Sequence, residues 1–350
     1  MANDWMKQLN KMDGAVDKEY NPYALENVIR STSPSLNWTF AKGCGLPYGQ
    51  SMIVYGPPKA GKSLISNLFI AGMHQANPDY IAVRFNTEMR EGAQGDNDKW
   101  GIDSNRFQGY DVNEPQLIFD RITNELTPML ESGMPLKLII IDSMEGIEGV
   151  KAANKESILS HTIGDHALTI GEGLKRILPV IRRHRIAVIC TSHIRANLNM
   201  TGGHGPATKM AGGYAQKHWF EYYMEVKRDK SAEGKVSIDG QKFEDGDSRD
   251  FKGNKELTGH KIWTKMAESS VGVAGRTSQF TLDYNNGIKN TYEEIFQLAK
   301  NLGLVERPNN RTYVVDGVKY NSKGDFAKAL KDDEELAKKL LDKAYSRDIS

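Results

Sequence analysis

The sequence predicts an α/β protein built around a mostly parallel β-sheet, with a short N-terminal helical segment and a small α+β unit at the C-terminus. Two observations lead to this fold class. Strand patterns and helix patterns alternate through the middle of the chain, which is typical of a parallel sheet with right-handed crossovers. One of these strands, LKLIIID at 136–142, is apolar at nearly every position. Such a strand is expected where helices cover both faces of a sheet.

The N-terminal residues 4–13 have the spacing of a short amphipathic helix. The apolar stripe of this helix consists of Trp5, Met6, Leu9 and Met12. Two arrangements explain the stripe equally well: the helix folds back onto the core of its own chain, or it packs on a neighbouring subunit. The residues that follow, 18–35, are polar and contain two prolines, and we interpret them as a linker.

The centre of the chain carries the predicted sheet. Its strands are predicted at 51–55, 81–86, 136–142 and 186–192, and its helices at 62–75, 114–131 and 165–184. Further strands, expected to form an antiparallel edge, are predicted at 219–228, 259–266 and 278–283. The stretch 229–258 is charged and glycine-rich, and we expect an exposed hairpin or mobile loop there.

A small C-terminal unit follows the sheet. Its predicted elements are a helix at 291–302, a hairpin around RTYVVDGVKY and a closing helix at 325–345. These patterns divide the chain into an N-terminal helix and linker (1–35), a core (36–288) and a small C-terminal domain (289–350).

The overall composition points to neither nucleic acid nor a membrane. Of 350 residues, 46 are Lys or Arg and 45 are Asp or Glu, so the formal net charge is only +1. A nucleic-acid site must therefore come from local clustering of cations. We find no apolar run of about 18 residues and expect no membrane span. The cysteines, Cys44 and Cys190, fit a reducing cytosol, and the histidines form no metal-binding pattern with them.

The strongest motif is GPPKAGKS, which runs from Gly56 to Ser63 and matches G-x-x-x-x-G-K-S in full. It lies between a predicted strand and a predicted helix, as a phosphate-binding loop requires. Backbone amides and the helix N-terminus would face the phosphates, Lys62 would reach the β- and γ-phosphates, and Ser63 would place its hydroxyl on Mg²⁺. The residues predicted to contact the nucleotide in this loop are Gly56, Pro57, Pro58, Lys59, Ala60, Gly61, Lys62, Ser63 and Leu64.

Two acidic residues follow buried strands at the same predicted sheet edge. Asp142 ends the strand at 136–142, where ligands bind in open parallel sheets, and we predict that it holds Mg²⁺. Glu88 follows the strand at 81–86 and is our candidate for the general base that activates water. The alternatives are a helix cap or a solvated loop residue for Asp142, and a surface carboxylate for Glu88.

The wider context resembles a known family. The segment SPSLNWTFAKGCGLPYGQSMIVYGPPKAGKS resembles the approach to the phosphate loop in RecA-type homologous recombinases, and it is closest in character to phage recombinases of the UvsX type. Three later segments, HTIGDHALTIGEGLKRIL, IAVICTSHIR and TYEEIFQLAKNLGLVER, fall in the family's order. The resemblance covers roughly residues 30–345, and it favours a phage origin. It implies a RecA-like P-loop ATPase core that uses ATP and Mg²⁺.

The resemblance also implies roles for individual residues. His193 matches the sensor of the γ-phosphate, which is glutamine in RecA and histidine in UvsX-type proteins. Lys265 resembles a lysine that reaches the ATP of the neighbouring subunit. RecA has a second lysine two residues later, where this sequence has Ala267. Arg276 is a candidate to replace that missing cation.

Two loops are predicted to bind DNA, and the second of them is glycine-rich. The first lies around residues 157–173, and the second, RANLNMTGGHGPATKMAGG at 195–213, contains five glycines. Long loops of this kind inside a compact domain are usually functional or disordered. The residues predicted to contact DNA are His161, Thr162, His166, Arg195, Asn197, Asn199, Met200, Lys209, Gly212 and Gly213. Because each subunit offers few cations, tight binding would depend on many subunits lining one strand.

The resemblance implies an ATP-dependent recombinase that forms helical filaments on single-stranded DNA and pairs that strand with a homologous duplex. Expected partners are single-stranded and duplex DNA, further copies of the chain, and single-strand-binding and mediator proteins. Two alternatives stay open: a ring-forming helicase with the same core, and a nucleotide-gated scaffold or mediator. The N-terminus lacks the pattern of a secretory signal, so we expect a cytoplasmic location, in a bacterial host if a phage encodes the chain.

Overall fold

The computed structural model describes residues 2–9, 12, 19–40, 45–89, 97–149, 165–196, 208–210, 219–231, 234–237, 257–272, 274–284, 287–289 and 291–346. Within these residues, no helix is both long enough and apolar enough to cross a membrane.

The N-terminal helix α1 (Ala2–Leu9) leaves its apolar stripe open to solvent. Trp5 is 64% exposed and Leu9 is 50% exposed. The first of the two arrangements, in which the stripe folds back onto the chain's own core, is therefore wrong for these side chains. The stripe is free to pack on another molecule.

The predicted linker differs from the structure at its C-terminal end. Strand β1 (Val28–Ile29) pairs antiparallel with β2 (Leu46–Pro47), and the short helix α2 (Pro34–Trp38) begins at the side-chain cap Ser33. Val28 and Ile29 are buried, because this segment packs against the sheet rather than crossing solvent. The prolines that suggested a linker lie before the segment and at the first turn of α2, where proline is tolerated.

The central sheet contains six parallel strands among the described residues, in the order β9-β3-β7-β6-β4-β5. Their bounds are β3 (Ser51–Gly56), β4 (Ile81–Asn86), β5 (Phe107–Asp111), β6 (Leu136–Asp142), β7 (Ala187–Ala196) and β9 (Tyr222–Arg228). The antiparallel extension beyond β9 consists of β11 (Leu257–Ser269), β12 (Thr277–Asp283) and β13 (Gly287–Lys289). The predicted α/β class with a mostly parallel sheet is confirmed.

Helices cover both faces of this sheet. They are α3 (Lys62–Ala76), α4 (Asn97–Trp100), a π-helix (Gln116–Leu126) that continues into α5 (Thr127–Glu131), and α6 (Asp165–His184). The side chains of β6 alternate between two cores, with Leu138 and Ile140 on the side of α3 and Ile139 and Ile141 on the side of α6. This alternation explains why the strand is apolar at successive positions.

One prediction in the second half of the chain needs correction. The stretch at 219–228 joins the antiparallel edge as predicted, since β9 pairs antiparallel with β11, although its other neighbour, β3, is parallel to it. At 229–258, where an exposed hairpin or mobile loop is predicted, β10 (Lys235–Ser237) pairs antiparallel with β11. The predicted loop at 195–213 differs from the structure, because it begins inside β7, whose last residues form a hairpin with β8 (Thr208–Met210). Pairing of β7 with its own continuation orders residues whose local pattern is weak.

The C-terminal residues form a compact unit with its own apolar cluster around Phe296, Tyr313 and Phe326. Its elements are α7 (Thr291–Asn301), the hairpin β14 (Tyr313–Val315) with β15 (Val318–Tyr320), α8 (Lys323–Asp332) and α9 (Glu334–Ser346). The single closing helix predicted at 325–345 is therefore two helices. The break lies at Asp333, whose carboxylate caps α9 by accepting a hydrogen bond from the Leu336 amide at 3.0 Å.

This unit docks on the segment around α2 through a buried carboxyl group. Glu294 of α7 is 5% exposed. Its Oε2 atom accepts hydrogen bonds from Ser33 Oγ at 2.6 Å, Ser35 Oγ at 2.7 Å and the Ser35 amide at 3.1 Å. Its Oε1 atom has no hydrogen-bond partner among the described residues. Tyr345 of α9 adds a contact nearby, since its hydroxyl donates to the Pro34 carbonyl at 3.2 Å.

A matched pair of glycines tests the packing of α3. A Cβ atom at Gly72 would overlap the carbonyl oxygen of Arg30, whereas one at Gly171 of α6 would meet nothing within 4 Å. We expect Gly72→Ala to lower the free energy of unfolding by about 2 kcal/mol through overpacking. Gly171→Ala should instead raise it by about 0.5–1 kcal/mol, because alanine favours helix. Urea unfolding of both variants measures the two changes, and equal effects would contradict the close approach of Arg30 to α3.

Candidate nucleotide-binding site

The phosphate loop joins the end of β3 to the start of α3. Gly61 precedes α3 with φ 102° and provides no side-chain cap, so the first amides of the helix face the loop. Gly56 lies against β9, where a Cβ atom would overlap the Val226 carbonyl oxygen. Glycine is thus required at one position by backbone conformation and at the other by close packing. Pro58 and Lys59 at the loop's tip are exposed.

Lys62 is buried at the base of the loop and points its ammonium group at three acceptors. Its Nζ atom donates to the Pro57 carbonyl at 3.0 Å and the Gly56 carbonyl at 3.2 Å, and it lies 3.2 Å from His193 Nδ1. An ammonium group can only donate, so Nδ1 must accept. The hydrogen on the imidazole therefore lies on Nε2, which is 2.7 Å from Glu88 Oε1.

Glu88 is thus the centre of a small polar network. Its Oε1 atom accepts from His193 Nε2 and also from Ser143 Oγ at 2.8 Å. Ser143 is held in place because its amide donates to Thr87 Oγ1 at 2.8 Å. The structure therefore brings three predicted site residues, Lys62, His193 and Glu88, into one hydrogen-bonded chain.

The oxygen atoms required for Mg²⁺ lie at the same sheet edge. Ser63 is exposed at the start of α3, and Asp142 is half-buried at the end of β6, with β7 lying between β3 and β6. Thr191 of β7 donates its hydroxyl to Asp142 Oδ1. A hydroxyl and a carboxylate are hard oxygen donors, so their chemistry fits Mg²⁺. The uncapped N-terminus of α3 likewise fits a phosphate group.

Cations that sequence analysis did not single out line the outer side of the loop. Lys227, Arg228 and Lys230 at the end of β9 face Lys59 across a cavity of about 350 Å³. This cluster raises the local positive potential beside the phosphate loop despite the near-neutral total charge. Only the spacing K-R-x-K in 227–230 could have signalled it.

A further missed cation lies beneath the site. Arg84 of β4 is 2% exposed, and its Nη2 atom donates to Ser66 Oγ at 3.0 Å and to Asn67 Oδ1. Burial lowers the pKa of this guanidinium, while the nearby Asp142 carboxylate opposes the shift. Arg84 thereby ties β4 to the helix that follows the phosphate loop.

Glu145 is a further residue that sequence analysis missed. It lies in a 3₁₀ turn, Met144–Gly146, directly after β6. Its carboxylate accepts from Ser192 Oγ at 2.5 Å and from the His193 amide at 3.1 Å. No local pattern marks this residue, since its contacts depend on the register between two strands that are far apart in sequence.

Two predicted cations lie outside the cluster. Lys265 is half-buried on β11, where its backbone pairs with Glu225 and Thr277. Arg276 donates from Nη1 to the Trp38 carbonyl at 3.1 Å, and its guanidinium lies 4.5 Å from the centre of the Trp38 ring. In this chain Arg276 is thus engaged with its own core.

The predicted DNA-binding residues are described only in part. Arg195 and Lys209 face each other as backbone partners in the β7–β8 hairpin. His166 lies in the first turn of α6, with Nε2 3.1 Å from the Met144 carbonyl oxygen. The remaining predicted contacts lie outside the described residues: His161, Thr162, Asn197, Asn199, Met200, Gly212 and Gly213.

The fold and the site together define a class: an α/β protein with a phosphate loop after a central strand and two acidic residues at neighbouring strand ends. Comparison with known sequences places the chain within that class. The profile of the RecA N-terminal domain matches residues 19–289, and the chain belongs to this family. The RecA-like core predicted from the sequence is thereby confirmed.

Individual relatives are distant. The DNA repair protein recA homolog 3, mitochondrial, of Arabidopsis thaliana is 23% identical over 315 residues, which cover 85% of this chain and 64% of that protein. The protein RecA of Nitratidesulfovibrio vulgaris is 22% identical over 286 residues, which cover 80% of this chain and 70% of that protein. The protein RecA of Oleidesulfovibrio alaskensis is 24% identical over 287 residues, which cover 80% of this chain and 71% of that protein.

Proposed function

We propose that this chain is an ATP-dependent DNA recombinase that forms helical filaments on single-stranded DNA and pairs that strand with a homologous duplex. The observation that carries the proposal is the course of β7. His193 on this strand contacts both Lys62 and Glu88, and from the next residue the same strand forms the hairpin that holds Arg195 and Lys209. Membership of the RecA family and the names of the relatives support the same function.

ATP would bind at the phosphate loop. The loop's backbone and Lys62 would hold the β- and γ-phosphates, and Ser63 and Asp142 would hold Mg²⁺, which supplies charge neutralisation to the phosphate oxygens. Glu88 would accept a proton from the attacking water. His193 would exchange its contact with Lys62 for one with the γ-phosphate, and this change would bias the hairpin.

Single-stranded DNA would bind along the β7–β8 hairpin and the first predicted DNA-binding loop. Arg195 and Lys209 would contact phosphates without reading sequence. Lys265 would act on the ATP of a neighbouring subunit within the filament. The exposed stripe of α1, including Trp5 and Leu9, would supply part of the contact between subunits.

Further parts of the proposal concern context. We propose the division into units 1–35, 36–288 and 289–350, a UvsX-type character with a phage origin, and a cytoplasmic location. Single-strand-binding and mediator proteins are the proposed protein partners. These points stay predictions.

The direct test measures ATP hydrolysis with and without single-stranded DNA, followed by electron microscopy and a strand-exchange assay. We expect stimulation by DNA, helical filaments and strand exchange. Rings in place of filaments would favour a hexameric helicase, and DNA binding with little hydrolysis would favour a scaffold. Absence of both DNA binding and DNA stimulation would overturn the proposal.

The proposed DNA contacts have a separate test. Arg195→Ala and Lys209→Ala should each weaken binding to an oligothymidylate about fivefold and reduce the slope of log affinity against log salt by about one. The matched control is Lys331→Ala, an exposed lysine on α8, which should bind like the unmodified chain. Unchanged salt slopes in both hairpin variants would exclude these residues from the DNA site.

A further inference from the structure

Strand β7 extends beyond β6, its neighbour on one side. Its pairing with β6 ends at Cys190, opposite Ile141, whereas its pairing with β3 continues to His193, opposite Gly56. The backbone of β7 after Cys190 thus has a free edge where β6 has turned away. A buried amide on such an edge needs another acceptor.

The turn after β6 supplies that acceptor through the carboxylate of Glu145. One oxygen, Oε2, accepts from the His193 amide at 3.1 Å, and the other, Oε1, accepts from the hydroxyl of Ser192 at 2.5 Å. Ser192 is fully buried. Both contacts are charge-assisted, which makes them about twice as strong as neutral hydrogen bonds.

Glu145 holds His193, the residue that joins the nucleotide site to the hairpin along β7. His193 lies between Lys62 and Glu88, and its strand partner on the other side is Gly56 of the phosphate loop. A small rotation of the β7 backbone at Ser192 would break the 2.7 Å contact with Glu88. Glu145 therefore holds the backbone that carries the imidazole, at the point where the strand leaves the sheet.

We infer that Glu145 is a positioning residue that couples the nucleotide site to the β7–β8 hairpin by clamping the backbone of β7 at His193. The inference rests on the proposed function, and it adds a residue to the route between ATP and DNA. Glutamine at 145 is the sharpest substitution, because it keeps the shape of the side chain. It has one acceptor oxygen instead of two, so either the Ser192 hydroxyl or the His193 amide faces an NH₂ group.

The test is the ratio of the oligothymidylate dissociation constants measured with ADP and with a non-hydrolysable ATP analogue. This ratio is the coupling between the two sites. We expect Glu145→Gln to reduce it about fivefold. The control Glu148→Gln replaces an exposed carboxylate three residues later, which accepts from Asn113 Nδ2 at 2.8 Å, and it should leave the ratio unchanged. A Glu145→Gln variant that weakens binding equally with both nucleotides has only a structural defect, and this result would overturn the inference.

A second measurement separates the clamp from the proposed function. Hydrogen exchange at the His193 amide needs neither DNA nor ATP, and we expect it to be about tenfold faster in Glu145→Gln than in the unmodified chain or in Glu148→Gln. Equal rates would show that Glu145 does not hold the β7 backbone. If the unmodified chain shows no nucleotide-dependent DNA binding, the proposed function fails, and the exchange rates alone decide whether Glu145 holds β7. Should Glu145→Gln not fold, Ser192→Ala removes one contact only, and a ratio equal to that of the unmodified chain would count against the inference.

Discussion

Lys62→Ala is expected to reduce ATP hydrolysis about a thousandfold, which corresponds to about 4 kcal/mol of transition-state stabilisation. The ammonium group of Lys62 is buried at the base of the phosphate loop, within 3.2 Å of the Pro57 and Gly56 carbonyl oxygens and of His193. No other cation of the described chain makes these contacts. Alanine would remove the positive charge from the position proposed to face the β- and γ-phosphates.

Steady-state hydrolysis with saturating single-stranded DNA measures this effect. Lys331→Ala removes an exposed lysine far from the site and should retain full activity. A thermal unfolding curve shows whether the loss of the two carbonyl contacts also destabilises the loop. Retention of a tenth or more of the activity in a folded Lys62→Ala protein would mean that hydrolysis does not occur at this loop.

The second large effect concerns the pH dependence of stability at Glu294. Burial raises the pKa of this carboxyl from its ordinary value of 4.5 to about 7, although hydrogen bonds from Ser33 and Ser35 act in the opposite direction. The folded chain therefore binds more protons than the unfolded chain between these two pH values. Its stability must fall as pH rises through this window, by about 3 kcal/mol in total from this group.

Glu294→Gln isolates this contribution, because the amide keeps the shape of the side chain but does not titrate. We expect the unfolding free energy of the unmodified chain, minus that of the variant, to fall by about 3 kcal/mol from pH 4.5 to pH 7.5. Glu293→Gln is the matched control. The carboxylate of Glu293 is next to Glu294 in sequence, but it is exposed and lies 2.7 Å from Lys323 Nζ. The unfolding free energy of this control variant should change with pH in the same way as that of the unmodified chain. A difference for Glu294→Gln that does not change with pH would show that the buried carboxyl does not titrate in this range.

Local patterns predicted the parts of the site that one segment builds by itself. The phosphate loop has a contiguous motif, so the strand before it, the helix after it and Lys62 follow from residues 51–76 alone. Glu88 and Asp142 were placed correctly at neighbouring strand ends, because parallel strands bring their carboxyl ends to one edge of the sheet.

Features that depend on distant pairing were not predictable in this way. β5 has the sequence FQGYD, whose glycine and polar residues give no strand pattern, and it becomes part of the sheet through its pairing with β4. The direction of β9 depends on its neighbour β3, and a strand's own residues do not encode whether that neighbour runs parallel. Glu145 acquires its contacts only because β7 is longer than β6.

The pairing of Gly56 with His193 has a mechanical consequence. These two residues are the last partners in the ladder between β3 and β7, so the backbone of the histidine is anchored to the start of the phosphate loop. A rigid displacement of the whole strand would break several backbone hydrogen bonds at once. The movable part of β7 must therefore begin at Ile194, the first residue whose described partner is β8 instead of β3. Under the proposed function, a change at the nucleotide site would therefore reach the hairpin from Ile194 onward, where the strand leaves the sheet.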